Sequence, residues 1–261
     1  MGAVSILTGE RVVSGQRALT PLQMAIEEQR HRLGSGEIEE RREALMHLRA
    51  LQRPEASRVA ASALNDPAPI VRATAAAAVL WLPADESAAS LIPLLSDKEE
   101  FVRQQTAYAL GQTRSHAAVG PLIERLTDKK DSVRAAAAVA LGEVGDATAV
   151  TSLAAVLNPQ AGMAPTKKSK REQNPFVLRA AAHSLGQIGN RAGVPALIAV
   201  LQDEKAGDDL RRESAIALGA IGDASAIRAL RNAETATDPY LAEAAHEAIR
   251  RISSLQTGGG F

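Results

Sequence analysis

Six stretches of the chain share one pattern of apolar and polar positions. They begin at Val71, Val102, Val133, Val177, Leu210 and Leu241, and the first three are spaced 31 residues apart. In each stretch, apolar or small residues stand at positions i, i+4, i+7 and i+8, counted from that first residue. This spacing places them along one side of an α-helix. Each stretch therefore predicts an amphipathic helix, and the recurrence predicts a tandem repeat.

Shorter apolar stripes lie between these stretches, at 88–95, 117–126, 147–157, 192–201 and 224–230. The joins are rich in glycine, which can adopt the left-handed conformation that ends a helix. These glycines are Gly142, Gly145, Gly186, Gly189, Gly219 and Gly222. Asp146 and Asp223 follow them and are expected to cap the next helix. The repeating unit is therefore predicted to be two helices joined by a tight turn.

The pattern extends toward the N-terminus in a weaker form. Residues 41–51 fit the register of the longer stretches, with 21–33 as their partner, and 54–64 open the next pair. We therefore expect an all-α fold, an α-solenoid (superhelix) of about seven helix pairs over residues 20–252. Residues 1–19 are expected to form a loose N-terminal arm, and residues 253–261 a flexible tail.

Composition agrees with a helical stack and excludes several other classes. Aromatic residues make up only 2% of the chain, whereas alanine fills whole segments, which favours close helix packing over sheets. Lys plus Arg and Asp plus Glu number 30 each, so no net charge favours nucleic acid. The sequence has no cysteine and no apolar run long enough to span a membrane. We expect a cytoplasmic protein.

One segment interrupts the period. Val133 and Val177 are 44 residues apart, and the excess falls within 158–175, which contains Lys167, Lys168, Lys170 and Arg171. In a stacked array, an insertion of this kind leaves the stack at a turn. The segment is either a basic loop that contacts an acidic partner or a solvated linker. The absence of neighbouring aromatic residues favours the linker.

The repeat unit resembles a known family. Its pattern is Gly-Asp-x-x-Ala-(Val/Ile)-x-x-Leu, then Asp, Val-Arg and Ala-x-x-Ala-Leu-Gly, with the clearest copies at 114–142 and 189–219. This pattern is similar to the HEAT-like repeat of the phycobilisome-lyase type and covers roughly residues 20–252. The resemblance implies an armadillo-like superhelix with the first helices outside and the second helices inside. It is specific for fold and not for function, because such repeats occur in many scaffolds.

A metal-dependent enzyme is the least favoured function. Deoxyhypusine hydroxylase, a HEAT-like enzyme, holds iron with His-Glu pairs two and three residues after the valine that opens each second helix. None of the matching positions in this sequence carries His-Glu, and His246-Glu247 lies three residues out of register. A metal site needs several converging ligands. We therefore expect no metal site, no cofactor and no catalytic residues.

Arginine recurs beside the first residue of the longer stretches, at Arg72, Arg103, Arg134 and Arg211. These residues could bind an anion. Their regular position near an aspartate favours a structural role instead, in which each arginine bridges to the aspartate of its own or the next unit.

The inner surface predicts where a partner would bind. Positions i+2 and i+6 of the second helices should face the groove, and the candidate residues are Gln104, Tyr108, Val139, Arg179, His183, Arg212, Ile216 and Glu247. Tyr108 is the expected anchor, because aromatic residues often dominate interface energy. The alternative is that tight curvature buries these positions against neighbouring second helices.

The sequence thus favours a non-catalytic scaffold that binds a protein or peptide partner on its concave face. The resemblance also permits a subunit of a bilin or phycobiliprotein lyase, or its chaperone. For that function, only Arg179, His183 and Arg212 offer groups suited to a tetrapyrrole. The identity of the partner and the oligomeric state stay open.

Overall fold

The computed structural model describes residues 19–158 and 174–257, and these residues form fourteen α-helices and no strand. The helices are α1 Pro21–Arg32, α2 Ile38–Ala50, α3 Pro54–Ala60, α4 Pro69–Ala78, α5 Ala84–Leu91, α6 Glu100–Thr113, α7 Val119–Arg125, α8 Asp131–Val144, α9 Val150–Leu157, α10 Pro175–Ile188, α11 Val194–Gln202, α12 Asp208–Ile221, α13 Ile227–Ala233 and α14 Pro239–Thr257.

Consecutive helices form seven pairs, which confirms the predicted all-α solenoid. The odd-numbered helices are the first helices of each pair, and the even-numbered helices are the second. Helix α14 continues to Thr257, so residues 253–257, which the sequence analysis assigned to the tail, are helical. Most of the predicted arm and basic loop, with Lys167, Lys168, Lys170 and Arg171, lies outside the described residues.

The turns between pairs use the residues expected from the sequence. Gly145, Gly189 and Gly222 have φ angles of 77°, 70° and 77°, in the left-handed region that a side chain would disfavour. Asp146 then accepts a hydrogen bond from the backbone N–H of Thr148 at 2.8 Å. Hydrogen bonds from Thr148 and from His116 lower the pKa of Asp146 to about 2.

The neighbouring glycines have a different function from the one predicted. Gly186 and Gly219 lie inside α10 and α12 and are buried against the next second helix. A Cβ atom on Gly186 would lie 2.9 Å from the Cα of Ala217, and one on Gly219 would lie equally close to the Cα of Ala248. These glycines allow neighbouring second helices to approach closely, as does Gly142.

The second helices pack side by side along the stack, whereas the first helices contact one another much less. A layer with closer spacing becomes the shorter, inner side of a curved stack. The second helices therefore line the concave surface, as the family resemblance implies. The core between the layers consists of leucine, valine and alanine, including the fully buried Leu110, Leu141 and Leu185.

Buried arginine–aspartate pairs connect consecutive units in the N-terminal half. Arg72 Nε donates to Asp97 Oδ2 at 2.7 Å and Nη2 donates to Oδ1 at 2.9 Å, while Nη1 donates to the carbonyl oxygen of Asp66 at 2.8 Å. The same bidentate arrangement joins Arg41 to Asp66 and Arg103 to Asp128. Each arginine thus links the turn of its own pair to the turn of the next pair.

These contacts confirm the predicted structural function for Arg72 and Arg103. Arg134 and Arg211 differ, because each pairs with an aspartate of its own helix, Asp131 at 2.6 Å and Asp208 at 3.3 Å. For Arg134, the residue 25 positions onward is Pro159, where the preceding units have aspartate. The insertion therefore ends the series of cross-unit pairs. It does not separate the units, since Ser184 of α10 donates a hydrogen bond to the carbonyl of Ala138 in α8 at 2.7 Å.

Candidate functional site

All eight residues predicted for the groove lie on the second helices and reach solvent at least in part. His183, Ile216 and Glu247 are exposed. The remaining five, which are partly buried, are Gln104, Tyr108, Val139, Arg179 and Arg212. The sequence left open that tight curvature buries positions i+2 and i+6 of the second helices. Ala73, at position i+2 of α4, is indeed buried, with 7% of its surface exposed, but the eight candidate residues are not.

In the C-terminal half of this surface, the charged side chains contact one another. Arg179 Nη1 lies 3.8 Å from Asp209, and His183 Nδ1 lies 2.8 Å from Glu213, each pair joining α10 to α12. Arg212 pairs with Asp209, and its guanidinium carbon also lies 5.9 Å from the ring centre of Tyr240. The first two pairs connect neighbouring helices, and together these contacts engage the side chains that could best bind an anionic ligand.

The N-terminal half of the surface also exposes large apolar side chains, and it contains an open cavity. The second helices α2, α4 and α6 and the turn after α4 expose large apolar side chains in the first three pairs, namely Ile38, Met46, Ile70, Trp81 and Phe101. Met46 is the counterpart in α2 of Tyr108 and Ile216, at position i+6. Ile70 and Trp81 are 11 residues apart, so the strip is about 16 Å wide along the helix direction. We call the surface formed by α2, α4, α6 and α8 the apolar groove.

An open cavity of about 300 Å³ lies within the apolar groove, at the C-terminal ends of α2, α4 and α6. Its lining residues are Arg49, Gln52, Ala77, Leu80, Trp81 and Gln112. Trp81, the single tryptophan of the chain, is 43% exposed there. Partial exposure of a large aromatic side chain beside a cavity is typical of a binding surface.

The cavity has a sequence cause. The four second helices α6, α8, α10 and α12 carry glycine at position i+9, where neighbouring helices come closest. At the equivalent position, α2 has Arg49 and α4 has Leu80. Helix α4 also ends early, at Ala78, and the chain turns through Trp81 toward α5. Without glycine at this position, the helix ends cannot approach closely, and the space between them opens onto the groove.

The rim of the cavity is polar and carries one cation. Arg49, Gln52 and Gln112 are exposed, and within the described residues none of their side chains makes an ion pair or hydrogen bond. No acidic residue lines the cavity. One repeat after Gln112, the same position is occupied by Glu143 of α8, whose carboxylate covers Gly111. Burial raises the pKa of Glu143, and the charge of Arg114 opposes that shift.

Other kinds of site receive no support in the part of the chain that is described. Residues 19–158 and 174–257 contain no group of three or more His, Cys, Asp or Glu side chains arranged to hold a metal ion. The histidines there are separated, and His116, His183 and His246 each contact one carboxylate. No helix within those ranges is both long and apolar enough to cross a membrane.

Sequence reasoning named Tyr108 but not Met46, Arg49 or Trp81, which the structure places on the same surface. Met46 could have been found by extending the repeat register to α2. Arg49 and Leu80 could have been found as departures from glycine at position i+9. Trp81 gave no periodic signal, because it lies in the turn after α4.

Comparison with known proteins identifies the repeat. The family model described as HEAT repeats matches residues 26–111, 88–162 and 166–250, so it covers most of the chain. No curated protein is a significant match to the sequence.

Several solved structures are similar in fold. The complex of CpcE and CpcF of phycocyanin lyase from Nostoc sp. PCC7120 is 22% identical over 96% of this chain and 98% of that chain, with a TM-score of 0.51. YibA of Escherichia coli is 20% identical over 88% of this chain and 82% of that chain, with a TM-score of 0.60. Human deoxyhypusine hydroxylase is 20% identical over 88% and 96%, with a TM-score of 0.43. Similarity at such identities concerns the fold alone.

Proposed function

Because the chain belongs to the HEAT-repeat family, we propose that it is a non-catalytic scaffold that binds a partner protein on the concave surface of its second helices. One observation carries this proposal: exposed large apolar side chains recur on the second helices, and at the N-terminal end the same surface also contains an open cavity beside Trp81. Contiguous exposed apolar surface on a folded protein is usually an interaction site. The apolar groove is the part of the concave face that we assign to the partner.

The predicted residues divide between two tasks in this proposal. Gln104, Tyr108 and Val139 lie in the apolar groove and contact the partner directly. Arg179, His183 and Arg212 belong to the charged network between α10, α12 and α14, so their contribution is to hold that half of the surface in shape. Ile216 and Glu247 extend the concave face toward the C-terminus and form the edge of the interface.

The lyase alternative has less support. CpcE and CpcF are named as parts of a phycocyanin lyase, but their similarity to this chain is at the level of fold. The three side chains that could best contact a tetrapyrrole carboxylate are already paired with Asp209, Glu213 and Tyr240.

Capture of partners from the cells that naturally contain this chain tests the proposal. The immobilised wild-type chain is compared with Tyr108→Asp and Ile216→Asp on the concave face and with Ala155→Asp, an exposed residue on first helix α9. We expect Tyr108→Asp to reduce capture of the main partner at least about tenfold, since a charge at a central contact disrupts a desolvated interface. Ile216→Asp should have a smaller effect, and Ala155→Asp none.

The result is interpretable only for folded variants, so helicity and thermal unfolding are measured for each. A partner captured equally well by Tyr108→Asp and by the wild type would contradict the proposal, as would capture that depends on Ala155. Loss of helicity in Tyr108→Asp would place Tyr108 in the core instead of the groove.

A further inference from the structure

The cavity beside Trp81 has a chemical character of its own within the apolar groove. Its apolar lining residues are Ala77, Leu80 and Trp81. Its polar lining residues carry one guanidinium and two carboxamides, and no carboxylate lines it. A ligand that fits such a site has a large apolar side chain next to an acidic group.

Arg49 provides the charge. Many arginines in the described part of the chain have a carboxylate partner, as Arg41, Arg72 and Arg103 do, but none of the described carboxylates pairs with Arg49. Arg49 lies in the last turn of α2, where its positive charge interacts favourably with the helix dipole. This interaction leaves the five N–H donors of the guanidinium available for another partner. An acidic side chain of a partner can therefore form a bidentate pair there.

The size of the site limits how much of a partner it can hold. The cavity volume of about 300 Å³ accommodates one or two side chains, and the cavity opens onto the apolar groove. A helical or extended segment can then lie across α2, α4, α6 and α8, whose axes should be 8–10 Å apart at each step. One arginine without a basic stripe is insufficient for a nucleic acid backbone.

We propose that this cavity is a specificity subsite for an acidic, amphipathic segment of the partner protein, in which an Asp or Glu pairs with Arg49 and an adjacent large apolar side chain packs on Trp81. The subsite rests on the proposed function, because the partner segment continues along the apolar groove. It adds to that function the sign of the partner's charge, which is negative, and the residue that recognises it, Arg49.

Trp81 makes the subsite directly observable, because it is the single tryptophan of the chain and its indole is partly exposed. A random library of short peptides displayed on phage is selected on the full chain, and the most enriched peptide is synthesised as the probe. We expect the selected peptides to share an acidic residue beside a large apolar one. Binding of the probe should shift Trp81 emission to shorter wavelength, since the indole loses contact with water.

Charge reversal then tests the pairing. Arg49→Glu should weaken binding of the acidic probe by about tenfold or more and should improve binding of the same peptide with lysine in place of its acid. The matched control is Arg228→Glu, the same charge change at an exposed residue of first helix α13. It should leave both affinities unchanged.

Three outcomes would overturn the subsite: no enrichment of peptides, enriched peptides without an acidic residue, or an Arg49→Glu variant with unchanged preference. Failure of the subsite is distinguishable from failure of the proposed function. If only the subsite fails, Tyr108→Asp still reduces capture of the natural partner. If the proposed function fails, Tyr108→Asp leaves that capture unchanged.

Discussion

At the scale of single residues, position i+9 of each second helix decides how closely neighbouring helices pack. Glycine at this position in α10 brings a backbone atom of Ala217 to within 2.9 Å of where a Cβ would be, so a larger residue cannot be accommodated without movement. Arg49 and Leu80 stand at the same position in α2 and α4. One side chain per repeat therefore determines whether the inner layer is closed or opens into a cavity.

Glu143 carries a prediction at this scale. Its Oε2 atom is buried and has no hydrogen-bond partner among the described residues, and burial raises the pKa of the carboxyl group. A carboxyl group with a raised folded-state pKa favours the folded state at low pH, and that stability is lost as the pH rises through the folded-state pKa. Glu143→Gln should therefore raise the Tm at neutral pH.

The gain should shrink as the pH falls below the raised pKa of Glu143, because the carboxyl group of the wild-type chain then becomes protonated. Thermal unfolding followed by circular dichroism at several pH values measures this difference. Glu124→Gln, at a carboxylate that is 72% exposed, is the matched control and should show no gain. A gain that does not depend on pH would rule out the buried charge as its cause.

At the scale of elements, the arginine–aspartate pairs hold consecutive units in register. The side chains of Arg103 and Asp128 are only 5% and 7% exposed. Burial of Asp128 opposes its ionisation, but hydrogen bonds from Arg103 and from the backbone N–H of Lys130 outweigh burial and lower its pKa. The pair thus connects α6 to the turn that precedes α8.

Asp128→Asn should lower the free energy of unfolding by about 3 kcal/mol, because it leaves the buried Arg103 without a counter-charge. Urea unfolding at neutral pH measures the loss. The stabilisation by Asp128 is present above its unfolded-state pKa and is lost as the pH falls through its lower folded-state pKa. The difference between variant and wild type should therefore diminish in acid. An unchanged free energy of unfolding at neutral pH would mean that the pair does not stabilise the fold and contributes only to the register of consecutive units.

At the scale of the whole molecule, much of the fold was predictable from the sequence. Local rules, which apply in the same way to each repeat, predict the seven helix pairs. They also predict the left-handed glycines Gly145, Gly189 and Gly222 and the cap at Asp146. Register errors would be visible as a break in the period, so the repetition itself supports the assignment.

The character of the groove was less predictable. Pairing of Arg179 with Asp209 and of His183 with Glu213 depends on how far neighbouring second helices are rotated and shifted against each other. The cavity depends on the early end of α4, which follows from the turn at Trp81 and not from the helical period. Both features arise from contacts between repeats, whereas the sequence pattern describes each repeat by itself.

Site-specific photo-crosslinking tests whether a partner protein occupies the apolar groove. A photoreactive amino acid replaces Met46, Tyr108 or Val139 in the apolar groove, or Ala155 or Ala199 on the first helices, and the crosslinked proteins are identified by mass spectrometry. We expect the three groove positions to crosslink one and the same partner protein and the two outer positions not to crosslink it. Equal crosslinking from Ala155 and Ala199, or none from the groove, would show that the partner does not bind on the concave face.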